Sequence, residues 1–164
     1  MPDKRFTKLV DDHGRLVLSA AYRVLGNRAA AEDVHQDVFT AIWQRWESFN
    51  GDTSWPAYLY RCAVRKAIDH AKASRKTRSI DAISEPADTT GGADNRAITT
   101  EIKDKLTDCI GKLPARQAEV FVMNRIEGKN YSQIAEVLEC TPQTARVHMH
   151  RALTQLAKEF KEYL

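Results

Sequence analysis

Residues 131–153 read YSQIAEVLECTPQTARVHMHRAL. Ile134, Ala135, Val137 and Leu138 recur at the spacing of one helical face, and the pattern breaks at Glu139-Cys140. Thr141 is a good N-cap, and Pro142 follows at the first helical position, where its missing N–H removes no bond. From there Ala145, Met149, Ala152, Leu153, Leu156 and Phe160 fall on one side of a second helix, with Gln143, Arg146, Val147, His150, Arg151 and Thr154 on the other. Two turns of helix, a tight connection and a longer helix with a polar, basic outer face make a helix-turn-helix. In that arrangement the second helix enters the DNA major groove, its first residues reach base edges and its arginines take phosphates or guanines. No acidic side chain occurs from Gln143 to Lys158, which is the local charge footprint of a nucleic-acid surface. The same pattern also suits a solvated face on a plain helical hairpin, so the rest of the chain has to decide.

The rest is helical too. Glycine and proline are sparse, at 7 and 5 of 164 residues, and alternating β-branched runs are missing, so an all-α fold is expected. Hydrophobic residues make up 43% and charged residues 29%, the balance of a globular chain. No apolar run approaches the ~20 residues that span a bilayer, so no direct membrane insertion is expected. The opening MPDKRFTKLVDD lacks the apolar core of a signal peptide, which places the protein in the cytoplasm as an expectation. Cys62, Cys109 and Cys140 are odd in number and far apart, so they read as small hydrophobes rather than a disulfide or zinc set. There is no Gly-rich phosphate loop, metal cluster or nucleophile–base spacing. An enzyme, a metal and a cofactor are therefore not expected. The net charge of +3 identifies no partner by itself.

The organisation is that of two small helical domains. A first helix ends at Gly26, and Asn27 caps a second that runs from about Arg28 to Trp46. Residues 49–52, FNGD, are loop chemistry. Thr53 or Ser54 then caps a third helix, with Pro56 in its first turn, that reaches about Arg75. The stretch SRKTRSIDAISEPADTTGGADNRA loses periodicity and nearly all large apolar residues, and it reads as a flexible linker. Helical patterns resume from about Ile98 to Ile110, Ala115 to Glu127, Ser132 to Leu138 and Pro142 to Lys161. The expected divisions are residues 1–76, a linker at 77–97, and residues 98–164.

Two N-terminal helices carry polar stripes. On the second helix Asp33, Gln36, Asp37, Thr40 and Gln44 fall within ~100° of arc, opposite Ala31, Val34, Val38, Phe39, Ile42 and Trp46. Such a stripe is either solvated or a dock for a basic helical partner. On the third, Tyr58, Arg61, Arg65, Asp69, Lys72 and Lys76 share one side, with Trp55 at its start. Arg65 and Asp69 have the spacing of an intrahelical ion pair. Interleaved aromatic and cationic groups suit a single nucleic-acid strand, whose bases stack on rings while its phosphates meet cations. The alternative is that the rings are core residues and the charges are solvated.

Four stretches together resemble the extracytoplasmic-function (ECF) sigma factors. AEDVHQDVFTAIWQRW at 31–46 is similar to that family's polymerase-binding motif, and LYRCAVRKAIDH at 59–70 to its next helical stretch. Leu113, Pro114, Arg116 and Gln117 match the L-P-x-R-Q that opens the family's second domain, and IAEVLECTPQTARVHMHRAL matches its DNA-reading helix pair. The resemblance spans nearly the whole chain in the right order. It implies a protein that joins core RNA polymerase and starts transcription at particular promoters. By position, Asp33, Gln36 and Asp37 would meet the clamp helices of the polymerase largest subunit. Trp55, Tyr58, Arg61 and Arg65 would handle the −10 element, and the Phe49–Asp52 loop, with Phe49 and Asn50, would capture a flipped base. Gln143, Thr144, Arg146, Val147, His150 and Arg151 would read the −35 element.

The resemblance also implies an anti-sigma factor that holds the two domains closed and hides both DNA faces. This chain departs from the family pattern in places. Arg65 replaces a common asparagine, and His35 lies on the apolar arc, where a core histidine is expected. Val147 and His148 stand where Ser and Arg are frequent, and Glu139 takes the usual turn glycine. The other reading kept open is a sigma-like interaction protein that sequesters an anti-sigma factor. Such a mimic has no need of the Asp33/Gln36/Asp37 stripe or of a basic reading helix.

Overall fold

Helix α1, Lys4–Leu25, starts where the Asp3 carboxylate accepts the Arg5 N–H at 2.8 Å, and it stops at Gly26. Gly26 takes φ 66° and returns its N–H to the Tyr22 carbonyl, a left-handed turn that only glycine adopts without strain. Helix α2, Arg28–Gln44, is capped by the Asn27 side chain, which accepts the Ala30 N–H at 3.0 Å. It ends two residues short of Trp46, because Trp46–Ser48 tightens into a 3-10 turn. Helix α3, Trp55–Ile80, opens with the Ser54 carbonyl accepting the Tyr58 N–H at 3.0 Å. These coordinates are a computed structural model, which describes residues 3–80 and 93–161.

Helix α3 continues past Arg75, and helix α4, Ala93–Lys112, begins ahead of Ile98. Both ends of the 77–97 segment are thus helical, and residues 81–92 lie outside the described residues. Helix α5, Ala115–Phe121, runs without a break into a wider π turn over Val122–Ile126. Helix α6, Tyr131–Leu138, carries a reciprocal cap. The Asn130 side chain accepts the Gln133 N–H at 2.8 Å, and the Gln133 side chain accepts the Asn130 N–H at 2.9 Å. Helix α7, Pro142–Lys161, is capped by Thr141, whose hydroxyl accepts the Thr144 N–H at 3.1 Å. Every described secondary-structure element is helical, as the sequence led one to expect.

Helices α1, α2 and α3 pack mutually into one bundle. Val17 and Ala21 of α1 meet Val34, Val38 and Ile42 of α2 and Leu59, Ala63, Val64 and Ala67 of α3 in its water-free centre. In the second half, α7 closes over α5 and α6. Ala145, Met149, Ala152 and Leu156 are buried, whereas Leu153 is 38% exposed. At ~100° per residue the four buried positions span only ~60°, and Leu153 lies outside that arc. Val120, Val122, Met123 and Ile134 complete this core. The two halves touch, since α3 also packs against α4, α5 and α6.

Glu139 occupies φ 56°, a left-handed conformation that is unfavourable for any residue with a Cβ. Glu139→Gly is expected to raise stability by about 1 kcal/mol, measured by chemical denaturation. An unchanged or lower midpoint would show that this turn is not strained.

Candidate nucleic-acid interfaces

Three surfaces carry the residues picked out from the sequence. The first is α7. Gln143, Thr144, Arg146, Val147, His150 and Arg151 are all exposed along its outer side, which leaves them free to enter a groove together. Local contacts organise them. The Arg146 guanidinium lies 5.3 Å from the Tyr131 ring centroid, a cation–π contact that anchors its stem to α6. The Thr144 and Thr141 hydroxyls are 2.9 Å apart. Val147 is 38% exposed, unusual for a valine on a helix and suited to touching a thymine methyl. His148 is half-buried, and burial, then Arg151 and Arg116, push its imidazole below the ordinary histidine range. It is therefore neutral near pH 7 and adds no charge to the face. An open hollow of about 550 Å³ lies beside His150 and Arg151, shared with Lys112, Pro114 and Gln117 of the α4–α5 corner.

The second surface is an aromatic box at the start of α3. Trp46 stacks on Trp55 with centroids 5.9 Å apart and planes 27° from parallel. Phe49 tilts against Trp55 at 4.9 Å, and Tyr58 meets both Phe49 and Trp55 edge-on. The rings are half-buried, packed on one side of the box and open on the other. Cations ring it. Arg45 donates to the Tyr58 hydroxyl at 2.9 Å and lies 5.9 Å from the Phe49 centroid, and Arg61 lies 5.8 Å from the Tyr58 centroid. A hollow of about 250 Å³ opens between Trp46, Phe49, Gly51 and Trp55 on one side and Arg5, Lys8, Asp12 and His13 of α1 on the other. Asn50 is exposed at its edge, and Gly51 takes φ 90°.

Sequence reasoning missed several members of this box. The helical period places Trp46 on the core side of α2, and no sequence pattern marks Arg45, Arg5, Lys8, Asp12 or His13. Trp46 is held in place by Asp3, which accepts its indole N–H at 2.8 Å. Nothing local in the sequence pairs residue 3 with residue 46, so only the fold reveals the contact.

The third surface is the outer side of α2. Asp33, Gln36 and Asp37 are exposed in a row, with Asp33 3.8 Å from His70 Nε2. Beside them an apolar hollow of about 530 Å³ is lined by Phe6, His35, Gln36, Phe39, Thr40 and Trp43. Trp43 is 46% exposed there, a large apolar side chain the sequence pattern did not single out. His35 is half-buried with its ring 4.9 Å from Phe39, and burial lowers its pKa.

Arg65 behaves differently from its sequence pattern. Its Nε lies 3.3 Å from Glu119 in α5, so its ion partner comes from the second half of the chain rather than from Asp69. Glu119 is 1% exposed, and Arg116 also approaches it at 3.6 Å. Burial raises its pKa, opposed by Arg65, Arg116 and Arg61. Burial likewise raises the Cys62 and Cys109 thiols, which makes them poor nucleophiles. Among the described residues there is no cluster of metal ligands, and no helix is long and apolar enough to cross a membrane.

Comparison with known proteins adds an independent line. Residues 9–77 match the Sigma-70 region 2 family, and residues 103–156 match Sigma-70, region 4. The ECF RNA polymerase sigma factor SigW of Bacillus subtilis is 25% identical over 96% of this chain and 89% of its own length. The RNA polymerase sigma-H factor of Pseudomonas aeruginosa is 27% identical over 99% and 90%. The ECF RNA polymerase sigma-E factor of Escherichia coli K12 is 26% identical over 91% and 83%. Two solved structures share the fold at a TM-score of 0.50. One is CnrH in complex with the cytosolic domain of CnrY, 22% identical over 98% of this chain and 90% of that one. The other is the sigma factor RpoE in complex with the anti-sigma factor NepR from Bartonella quintana, 19% identical over 97% and 98%.

The box makes an acid-side prediction. The Trp46 indole first, then Arg5, hold the Asp3 carboxyl down at about 2. A lowered carboxyl pKa supports the fold fully above its ordinary value and loses that support as pH falls through the lowered one. Indole fluorescence should therefore shift as pH drops from about 4 to about 2. Asp3→Asn should abolish that step, and a step that survives the substitution would remove Asp3 from the box.

Proposed function

This chain belongs to the extracytoplasmic-function family of sigma factors, and from that premise we propose how its three surfaces share the work of starting transcription. The protein binds core RNA polymerase and directs it to particular promoters. The acidic row Asp33, Gln36 and Asp37 takes the polymerase, through the clamp helices of its largest subunit. A row of carboxylates and an amide beside an apolar hollow suits a basic amphipathic helix. Helix α7 takes the −35 element, with Gln143, Thr144, Arg146, Val147, His150 and Arg151 in the major groove. The box around Phe49, Asn50, Trp55 and Tyr58, with Arg61 and Arg65, takes the melted −10 strand. Stacking on rings offsets the energy of unpairing bases, while cations hold the phosphates.

The observation that carries this reading is the joint exposure, in one chain, of an acidic row on α2 and an acid-free basic helix face on α7. A decoy for an anti-sigma factor has no use for either. No step here asks the chain to make or break a covalent bond. We also propose an anti-sigma factor as partner, since one similar solved structure is by its own description a sigma factor in complex with an anti-sigma factor. The place of action is the cytoplasm, where polymerase and promoter meet.

The test is transcription in vitro from fragmented genomic DNA with core polymerase, sequencing the 5′ ends. New starts with shared −35 and −10 elements are expected. Binding to core without new starts would reassign the −10 surface, and no binding to core would favour the decoy. The Asp33→Arg, Asp37→Arg double variant should lose about tenfold or more in affinity for core. Arg146→Ala should weaken −35 duplex binding by about 1–3 kcal/mol. Val147→Ala should lower discrimination at a single thymine-bearing position, and equal affinity for every −35 variant would refute the methyl contact.

A further inference from the structure

A hollow of about 370 Å³ lies between the end of α2 and the first half of α3, apart from the apolar hollow beside the acidic row and from the one inside the aromatic box. Its size is at the low end of the about 300–1,000 Å³ of small-ligand sites. Gln44 and Arg45 line it from α2, and Tyr58, Arg61, Arg65 and Lys66 line it from α3. Val38, Ala41, Ile42 and Cys62 supply the rest of its wall. Among the described residues no carboxylate lines it.

Cations brought together in this way repel one another unless a negative charge answers them. Arg65 is answered by Glu119 at 3.3 Å. The other cations are not. Arg45 donates to the Tyr58 hydroxyl at 2.9 Å, and Arg61 lies 5.8 Å from the Tyr58 ring centroid, so both rest on a neutral group. Among the described residues Arg45, Arg61 and Lys66 form no ion pair, not even with Asp37 or Asp69 one turn away on the same two helices. The C-terminal end of α2 contributes about half a negative charge, which leaves roughly two and a half positive charges over. The Cys62 thiol lies in this field. Burial pushes it up, while the Tyr58 hydroxyl and then Arg61, Arg45 and Arg65 pull it down.

From this unanswered charge we infer that the hollow between α2 and α3 is a phosphate-binding site, holding a pyrophosphate or phosphate-ester group on Arg45, Arg61 and Lys66. A carboxylate would bring one negative charge, whereas a phosphate monoester brings about 1.5 to 2 and a pyrophosphate still more. Guanidinium forks match phosphate oxygens two at a time, and the lysine adds a mobile point charge. The Tyr58 hydroxyl already restrains Arg45, which lowers the ordering entropy that binding requires. Val38, Ala41 and Ile42 offer apolar wall to an organic body beside the phosphate, as in a nucleotide. This chemistry has two sources, a free phosphate compound and a phosphate of a bound strand, because Tyr58 belongs both to this hollow and to the aromatic box. The site stands on geometry and charge and does not depend on the promoter role.

The test is calorimetric titration of the full chain with inorganic pyrophosphate at low salt, with circular dichroism to check folding. Wild type should bind. The Arg45→Gln, Lys66→Gln double variant should bind about tenfold or more weakly, and Arg45→Lys, which keeps the charge, about threefold or less. The Arg28→Gln, Lys161→Gln double variant removes as much charge elsewhere and should stay within about twofold of wild type. Where Arg45→Gln disturbs the fold, Lys66→Gln alone, at an exposed position, should still weaken binding about threefold. A wild type that ignores pyrophosphate, an unchanged Arg45, Lys66 variant, or an equal loss in the Arg28, Lys161 control would overturn the site. A short oligothymidylate then separates the sources. If pyrophosphate displaces it and the Arg45, Lys66 variant binds it more weakly, the site holds a strand phosphate. If the two bind side by side, the site holds a free phosphate compound. Should the chain fail to bind core polymerase, the sigma-factor function would fall while these titrations still decided the site.

Discussion

Helix α3 has to satisfy five neighbouring helices with one circumference. Its buried residues Leu59, Tyr60, Ala63, Val64 and Ala67 occupy ~140° of arc and face α1 and α2. The opposite ~100° carries Tyr58, Arg61, Arg65, Ile68, Asp69 and Lys72 as one continuous stripe. Lengthwise that stripe is divided. Its first turns meet the aromatic box, and its later turns line a hollow against Ile110, Gly111, Leu113 and Ala118 of the second half. Arg65 sits at the division, close enough to either neighbour to serve only one at a time. Its partner Glu119 of α5 brings a negative charge against that stripe of cations, where Arg65 and Arg116 both approach it.

Much of this was legible in the sequence wherever the cause is local. Gly26, Asn27, Thr141 and Pro142 mark their helix ends through contacts within four residues, and each does so in the structure. The exposed face of α7 follows from period alone. What could not be read depends on partners far along the chain. The indole of Trp46 is fixed by Asp3, forty-three positions away. Arg65 looked like the partner of Asp69, four residues on, because sequence spacing displays only neighbours, whereas Glu119 arrives through tertiary packing. Leu153 seemed a core residue because its apolar character was counted without the narrow angle that α5 and α6 leave for it. Helix α3 runs past Arg75 for a related reason: its apolar period ends there, but a helix can continue on propensity alone.

The three surfaces also differ in how they are prepared. On α7 the groups are set out before any ligand arrives: Arg146 is pinned over Tyr131, and the capping threonines hold the first turn. Holding these groups in place beforehand reduces the ordering entropy that binding would otherwise require. The aromatic box is prepared differently, with rings stacked on each other where bases would stack. Under the proposed −10 role, a base entering the box would replace ring–ring contacts with ring–base contacts of similar energy.

The seam between the halves shows a further balance. An apolar seam of the same area would be hard to open, because separation would expose only surface that water disfavours. Charges change that. Opening returns the Glu119 carboxylate and the Arg65 guanidinium to water, and hydration replaces much of what the ion pair supplied. The raised pKa of Glu119 reflects burial, which outweighs the attraction of Arg65, Arg116 and Arg61. Such a group is held in the packed chain at a cost in hydration.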